Sequence, residues 1–509
     1  MKTNFIIRLL MSILAISFSQ PTKILAANYP LEIIQPRSNL DTNNRWYKAY
    51  PGLNYNVRMA AIGGSYPFTF SLLTAPPGMT INASTGVIDW PDPTTQGSPH
   101  TVTARVVDQE GQQATVTWTI TVTTAGFGFV DAIHGKTTEE GGTGSLDNPW
   151  KTIQDWYKIK YDSSYATWFI YYKTGNYTLA GVPQDDQGRV TWSTSTKPAV
   201  HMAYPGNSPV FDMSAAHIRI EHSADNVYFE GIEFTNITNK WRKCLQIDSS
   251  GNNVTLRNNT FHTLTESSGS NNQSCIMFFA AGTGSYWSIQ NNTAYDIRHG
   301  YFVLGYDASK VLVEDNNLHD FSDPLGEGNS HPIGVKDSCH YWFIRHNILK
   351  NCHLDSLWCL YGNTHTGITN DIEFSFNLAI MPPDGSSALV LNPDRYLSGG
   401  PVHVYRNTLI GHVRLYKTTS TNGPWIFRRN VIVNNDIAPN HVQLIDNSYP
   451  SGVVFEDNLT GSPSDNIVDP NGNLTSQYSS YLGSCGYQAG MGGTGEVPGA
   501  PTLRILGSN

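Results

Sequence analysis

Nine copies of one eight-residue pattern run down the second half of this 509-residue chain, and eight of them carry an Asn at the sixth place. The copies are Val227–Phe234, Val254–Phe261, Trp287–Ala294, Val311–Leu318, Trp342–Leu349, Ile372–Ala379, Val402–Leu409, Trp425–Ile432 and Val453–Thr460. Each reads apolar, any, apolar, any, any, Asn, any and then usually apolar, with starts 23 to 33 residues apart. Alternation of this kind marks strands with one face in a core, and a recurring period of this size marks a solenoid whose repeats stack on one another. Stacked strands lie roughly 4.8 Å apart, so Asn259, Asn292, Asn316, Asn347, Asn377, Asn407, Asn430 and Asn458 are expected to form an interior ladder. Each amide then bonds the next at a bend where backbone groups would otherwise lack partners. The predicted fold is an all-β, right-handed parallel β-helix, the hand being that of parallel crossover connections in general.

The chain opens with Lys2 and Arg8, then the apolar run Leu9 to Phe18, then Ala26 and Ala27. That run is too short to span a bilayer and reads as a cleaved secretory signal over residues 1–27, which implies a secreted or periplasmic protein with no membrane insertion. Charged residues make up only 14% of the chain, and Gly and aromatic residues are frequent, as in extracellular all-β proteins. A formal net charge of −9 argues against a nucleic-acid partner. The expected state is a monomer. Six cysteines (Cys244, Cys275, Cys339, Cys352, Cys359, Cys485) lack any metal-finger spacing. Cys244 and Cys275 open the same strand in adjacent repeats, so they read either as a disulfide or as buried thiols stacked rung on rung.

Residues 28–124 differ from the rest. Short alternating strands such as Thr101–Val107 and Ala114–Val122 are separated by turn clusters, and the stretch from Ala75 to Ile88 carries Pro76-Pro77-Gly78 and Ser84-Thr85-Gly86 turns. The segment resembles the immunoglobulin-like and cadherin-like modules of bacterial secreted proteins, which implies a β-sandwich with a spacing, docking or carbohydrate-binding role. Beyond it, Phe127-Gly-Phe-Val-Asp131 leads through a Gly-rich loop to Asn148-Pro149-Trp150-Lys151-Thr152-Ile153. Asn148 as cap with Pro149 in the first position predicts a helix over Trp150–Tyr157 that closes the end of the solenoid. This opening resembles that of pectate-lyase-like β-helices. The organisation read from the chain is therefore a β-helix domain over 127–485 and a C-terminal tail over 486–509.

A second strand precedes each Asn-bearing one, visible at Leu245–Asp248, Phe302–Gly305, Ile333–Lys336, Leu357–Tyr361, Leu389–Asn392, Val413–Lys417 and Val442–Asp446. With Ile247, Val335, Leu391 and Ile445 turned inward, Asp248, Lys336, Asn392 and Asp446 point outward, with Gly305, Tyr361 and Lys417 close to the same column. Such a column on an outer face makes a groove suited to a linear polymer.

The segment Gly328-Asn329-Ser330-His331-Pro332-Ile333-Gly334-Val335-Lys336 is similar to the core motif of the β-helical lyases that include chondroitinase B and the alginate lyases. There a GNSE stretch leads through an apolar strand to a catalytic Lys. The resemblance implies that Lys336 abstracts the C5 proton of a uronic acid, that an Arg about one turn later assists, and that an acidic cluster holds calcium. This chain departs from the pattern: His331 stands at the Glu position, and Leu357-Trp358-Cys359-Leu360-Tyr361-Gly362 stands where the family has Arg-His-Gly. The expected calcium ligand is thus unmatched, and no cofactor is implied. His331, Arg395 and Arg414 remain as cations for the uronate, with Tyr361 or His365 near the leaving oxygen.

No Asp or Glu occurs between Arg395 and Asn435, whereas Arg395, Arg406, Arg414, Lys417, Arg428 and Arg429 recur there, in a pattern that reads either as a positive stripe or as solvated loop cations. His299, His331, His340, His346, His353 and His365, with Tyr301, Tyr306 and Tyr361, suggest one groove across several rungs. The site read from the chain is accordingly Lys336, His331, Tyr361 and His365 as catalytic groups. Arg395, Arg414, Lys417, Tyr306, Asn392 and Arg345 are its binding groups for an anionic polysaccharide. The expected activity is a polysaccharide lyase acting by β-elimination. The alternatives are a β-helical glycoside hydrolase drawing two carboxyls from Asp307, Asp337, Asp355, Asp384 and Asp394, or a non-enzymatic carbohydrate-binding adhesin.

Overall fold

The structure is a computed structural model. It describes residues 28–37, 44–160, 168–193, 199–220, 225–239, 242–248, 252–265, 274–279, 284–323, 331–336, 338–352, 358–361, 370–382, 387–392, 401–415, 424–433, 453–461, 465–471, 473–481 and 486–487. Residues 1–27, on which the expected signal falls, and most of 486–509 lie outside this range.

The chain is an all-β parallel β-helix preceded by an immunoglobulin-like sandwich. In the sandwich, His100–Val107 pairs antiparallel with Gln113–Val122, and the latter alternates exposed and buried along its length. Around Trp46, Trp90 and Trp118 the inner faces of the small sheets form one core, with the Trp46 and Trp118 rings edge to face at 5.7 Å.

From Phe127 onward the chain coils through three parallel sheets. The first runs from Phe127–Val130 to Val453–Glu456, the second from Gly175–Thr178 to Leu459–Gly461, and the third from Arg189–Ser193 to His412–Leu415. Each octapeptide spans the corner between the first and second sheets, with its first and third residues in the core. Val254 and Leu256, Val311 and Val313, Trp342 and Ile344, and Ile372 and Phe374 are all buried there.

The Asn ladder is present and unbroken. Nδ2 of each Asn donates to Oδ1 of the next, from Asn259 to Asn292 at 3.1 Å, through Asn316 to Asn347 at 2.9 Å, to Asn430 and Asn458 at 2.8 Å. The same Oδ1 takes the backbone N–H of the preceding Asn, as in Asn316 N to Asn347 Oδ1 at 3.0 Å. The second Nδ2 hydrogen reaches a carbonyl of the preceding turn, as in Asn316 to Ile289. The bend itself comes from the residue before each Asn, which is left-handed: φ is 57° at Asp315, 56° at His346 and Phe376 and 53° at Arg406. In the first copy Gly231 takes that conformation, and Ile232 N still donates to Asn259 Oδ1.

The end-capping helix forms at Ile153–Lys160 rather than at Trp150. Thr152 and Asp155 bond reciprocally, Thr152 N to Asp155 Oδ2 at 3.0 Å and Asp155 N to Thr152 Oγ1 at 3.2 Å, so the capping box starts the helix there. Asn148 instead closes the preceding turn on Gly141. Ile153, Trp156 and Tyr157 cover the open end of the coil core. Cys244 and Cys275 lie in adjacent strands as buried free thiols, so the disulfide alternative is not realised, and burial pushes both thiols up.

The sandwich sits on the outer face of the first sheet. In the copies from Val254 to Leu409 the second and fourth residues, outward by alternation, are buried: Leu312 and Phe343 pack with Ile34, Ala60 and Ile62, and Tyr405 joins the sandwich core. Gln35 bonds the carbonyls of Val254 and Tyr286 and the hydroxyl of Thr255. Arg58 pairs with Glu314 at 3.0 Å and Asp315 at 2.5 Å, and Arg345 with Glu314 at 2.6 Å and the Ala61 carbonyl at 2.6 Å.

Candidate functional site

The sandwich covers the first sheet, whereas Lys336 ends one of the strands of the third, Ile333–Lys336. Val335 and Ile333 lie in the coil core, so Gly334 and Lys336 face outward. Register places Lys336 opposite Tyr361 and Tyr361 opposite Asn392. The expected column is therefore correct for these three residues. Gly305 is not part of it: it pairs with Val335, and a Cβ there would lie 2.4 Å from the Trp342 ring, deep in the core. Tyr306, the next residue, comes level with Lys336 instead.

Lys336 is outward but not exposed, at 6% of its free surface. Its Nζ lies 5.1 Å from the Tyr301 ring centre and 5.8 Å from that of Tyr306. His331 is equally buried and meets Tyr301 edge to face at 5.7 Å. Gly334 makes this arrangement fit, because a Cβ on it would come within 2.8 Å of the Tyr301 ring and 3.0 Å of Leu304. His299, buried in the corner before the strand Tyr301–Gly305, pairs instead with Asp323 at 2.8 Å. Lys336, His331, Tyr301 and Tyr306 thus form one cluster, in which Tyr301, read from the sequence as part of the His/Tyr groove but given no role, is the ring that His331 and Lys336 share. Its signal was available: a Gly two residues before the outward Lys leaves space that only a large neighbour fills.

Register also locates Arg414. Gly334 pairs with Cys359, Cys359 with Val390 and Val390 with Arg414, which puts Arg414 three strands on, in the column beside that of Lys336. His365, Arg395 and Lys417 lie outside the described residues, as do His353, Asp337, Asp355, Asp384, Asp394 and Asp446.

Arg345 does not join the cluster. It projects from the first sheet and is 2% exposed beneath the sandwich, bound to Glu314 and Ala61. His346 also lies there, stacked between Tyr66 and Phe376, and His340 bonds Asn370 at the start of the neighbouring first-sheet strand. The histidines therefore divide between two faces rather than lining one groove. The cations divide similarly: Arg406 and Arg429 occupy first-sheet corners, and Arg428 pairs with Glu456 at 2.8 Å. Among the described residues no group of three or more His, Cys, Asp or Glu is placed to hold a metal ion. No described helix is long and apolar enough to cross a membrane.

Residues 40–123 match the family model described as "Putative Ig domain" (He_PIG). No curated protein matches the chain. Among solved structures, a family 28 exopolygalacturonase of Yersinia enterocolitica aligns over 81% of this chain and 96% of its own at 10% identity, with a TM-score of 0.40. The catalytic domain of a GH87 alpha-1,3-glucanase in complex with nigerose aligns over 81% of this chain and 83% of its own at 11% identity, with a TM-score of 0.24. At these scores neither likeness bears on activity.

Proposed function

We propose that the chain is an exported polysaccharide lyase that cleaves a uronate-containing polymer by β-elimination on the outer face of the third sheet. One observation carries this reading: Lys336, outward on its strand, is buried against Tyr301 and Tyr306 beside His331, with Tyr361 and Asn392 in register beyond it. A solubilising surface lysine would extend into water, whereas this one is held in place among groups that donate and accept protons.

The proton at C5 of a uronate is weakly acidic, so its removal needs a base, a positive group on the carboxylate and an acid for the departing glycosidic oxygen. In this reading Lys336 takes the C5 proton. His331, with Arg414 further along the face, offsets the carboxylate charge. Tyr361 or His365 protonates the leaving oxygen as the C4–O bond breaks and the C4–C5 double bond forms. Arg395 and Lys417 extend the polymer-binding surface, and no metal enters any step.

The test is a panel of purified uronate polymers, sulfated glycosaminoglycans and neutral glycans, followed by ultraviolet absorbance of the unsaturated product and by reducing ends. Absorbance and reducing ends rising together support the lyase. Reducing ends without absorbance identify a hydrolase, and neither signal leaves a carbohydrate-binding solenoid.

A further inference from the structure

The coil is closed at its entry, where the helix Ile153–Lys160 lies over the core. Its exit is different. Val453–Glu456 ends the first sheet and Leu459–Gly461 the second, and among the described residues each pairs on one side only. Val453 and Phe455 are partly exposed, although their counterparts on the preceding turn, Trp425 and Phe427, are buried. The Asn ladder also stops here. Every earlier member gives its backbone N–H and an Nδ2 hydrogen to the next Asn, as Asn430 does to Asn458 at 2.9 and 2.8 Å. Asn458 has no following Asn in the repeat, and its Nδ2 holds the Phe427 carbonyl.

An edge of this kind takes one more strand, and the strands already in place fix what that strand must carry. Its first and third residues must be apolar, to cover Val453 and Phe455. Its fifth must accept the left-handed bend that Asp457 makes at φ 54° and Gly231 at φ 72°. Its sixth must offer an acceptor to the Asn458 N–H.

The end of the chain, Leu503-Arg504-Ile505-Leu506-Gly507-Ser508, meets all of these requirements. Leu503 and Ile505 take the apolar places, Gly507 takes the bend with no Cβ to strain it, and the Ser508 hydroxyl supplies the acceptor. Arg504, at the second place, then shares the outward face with Glu456, which is exposed. The reach is also sufficient. Tyr487 N donates to Thr408 Oγ1 at 3.3 Å and its ring packs with Ile348 and Leu378, so the chain already lies along the second sheet at that point. The 15 residues between Tyr487 and Leu503 span up to about 50 Å when extended, against roughly 15 Å for the turns from Thr408 to a place beyond Val453.

We propose that residues 503–508 add as a tenth parallel strand on the edge Val453–Glu456 and close the exit of the coil. Asn458, then one turn from the end, stays nearer to water than Asn316. This closure does not depend on the chemistry of the face that carries Lys336.

The test uses the full chain and hydrogen exchange read by mass spectrometry. Ile505→Pro, which removes a ladder donor, and Gly507→Val, which strains the bend, should each speed exchange of the Val453–Glu456 amides about tenfold or more. Register is read separately. Val454→Cys combined with Arg504→Cys sets two thiols opposite each other on the outward face, with Cα atoms roughly 5 Å apart, and mild oxidation should link 454 to 504 within one molecule, as peptide mapping of the monomer would show. The proposal falls if exchange of the edge is unchanged in both variants, if no 454–504 link forms, or if the link joins two molecules and so assigns the edge to a second copy.

Discussion

Arg345 Nε lies 2.6 Å from Glu314, and both side chains are shut between the first sheet and the sandwich. A buried ion pair is a weak source of net stability while intact, but removing one partner strands the other charge and costs about 3–5 kcal/mol. Arg345→Ala should therefore destabilise the protein by about that amount in denaturant unfolding, a result unlike that of a surface substitution. The same interface sets the outcome of cutting the chain near Gly126. The coil would then expose Leu312 and Phe343 together with Glu314, Asp315 and Arg345, all now covered. A fragment starting at Gly126 should melt lower than the full chain and bind a hydrophobic dye. Equal melting temperatures would show that this interface contributes little.

Asn316 tests the ladder. Its replacement by Leu leaves Asn292 N–H and Nδ2 without their acceptor and the Ile289 carbonyl without its donor, all in a dry interior. The cost should be at least about 1–3 kcal/mol, the penalty for one buried unsatisfied group. Asn458, at the partly exposed end of the ladder, should cost less when changed in the same way, because water reaches the groups it leaves. Equal costs at the two positions would contradict the ladder as the source of the effect.

The repeat made the coil, its Asn column and the outward position of Lys336 legible, since a two-residue alternation and a fixed Asn place each residue without knowledge of partners. What the pattern could not supply was which outer face is covered. Leu312 and Phe343 stand where alternation calls for polar residues, and Arg58, Glu314 and Arg345 complete one another only across more than 250 positions of chain. Read singly, Arg345 looked like a binding cation and His346 like a groove histidine. The apolar outward pair at Leu312 and Phe343 was the clue that a second layer lies over that sheet.

Acid should weaken this fold, and the sign follows from buried imidazoles set against buried carboxyls. Burial holds the imidazoles of His346 down at about 3 and of His217 and His403 at about 4. Unfolded, each takes a proton near pH 6.5, so the unfolded chain binds more protons between that value and the folded one, and stability falls as pH drops through this window. Carboxyls oppose them: burial raises Asp315, with neighbouring Glu314 adding to it, and burial also raises Glu373 and Asp371, so their contribution grows as pH drops. The three imidazoles, each held two units or more below its unfolded value, set the direction of the balance between pH 7 and pH 5, a net loss of stability. Urea midpoints across this range should fall, and a midpoint that rises on acidification would show that the carboxyls outweigh the histidines.

Gly334→Ala probes the packing beside Lys336. The added methyl would lie 2.8 Å from the Tyr301 ring, so the ring must move, and with it the wall against which the Lys336 amine rests. If cleavage depends on that placement, turnover should drop by up to about 100-fold, the scale for a misplacement near 1 Å, while circular dichroism keeps its β signature. Unchanged turnover in a folded Gly334→Ala protein would remove Tyr301 from the site.

Lys336 itself is the decisive residue. Because it is buried rather than solvent-facing, a simple truncation removes packing along with the amine, and Lys336→Met keeps most of the chain volume while losing the base. Both Lys336→Ala and Lys336→Met should lower turnover on a cleaved uronate polymer by about 100-fold or more, the range for a positioned acid or base, with the Met variant melting close to wild type. Arg414→Ala, in the adjoining column, should raise KM with a smaller effect on turnover, since its part is to attract the polyanion. Chelators should leave the rate unchanged if the proposed metal-free reaction holds, since among the described residues no group of three or more His, Cys, Asp or Glu is placed to hold a metal ion. A Lys336→Met protein that cleaves as fast as wild type would overturn the assignment of the base and turn attention to His331 and Tyr306 in the same cluster.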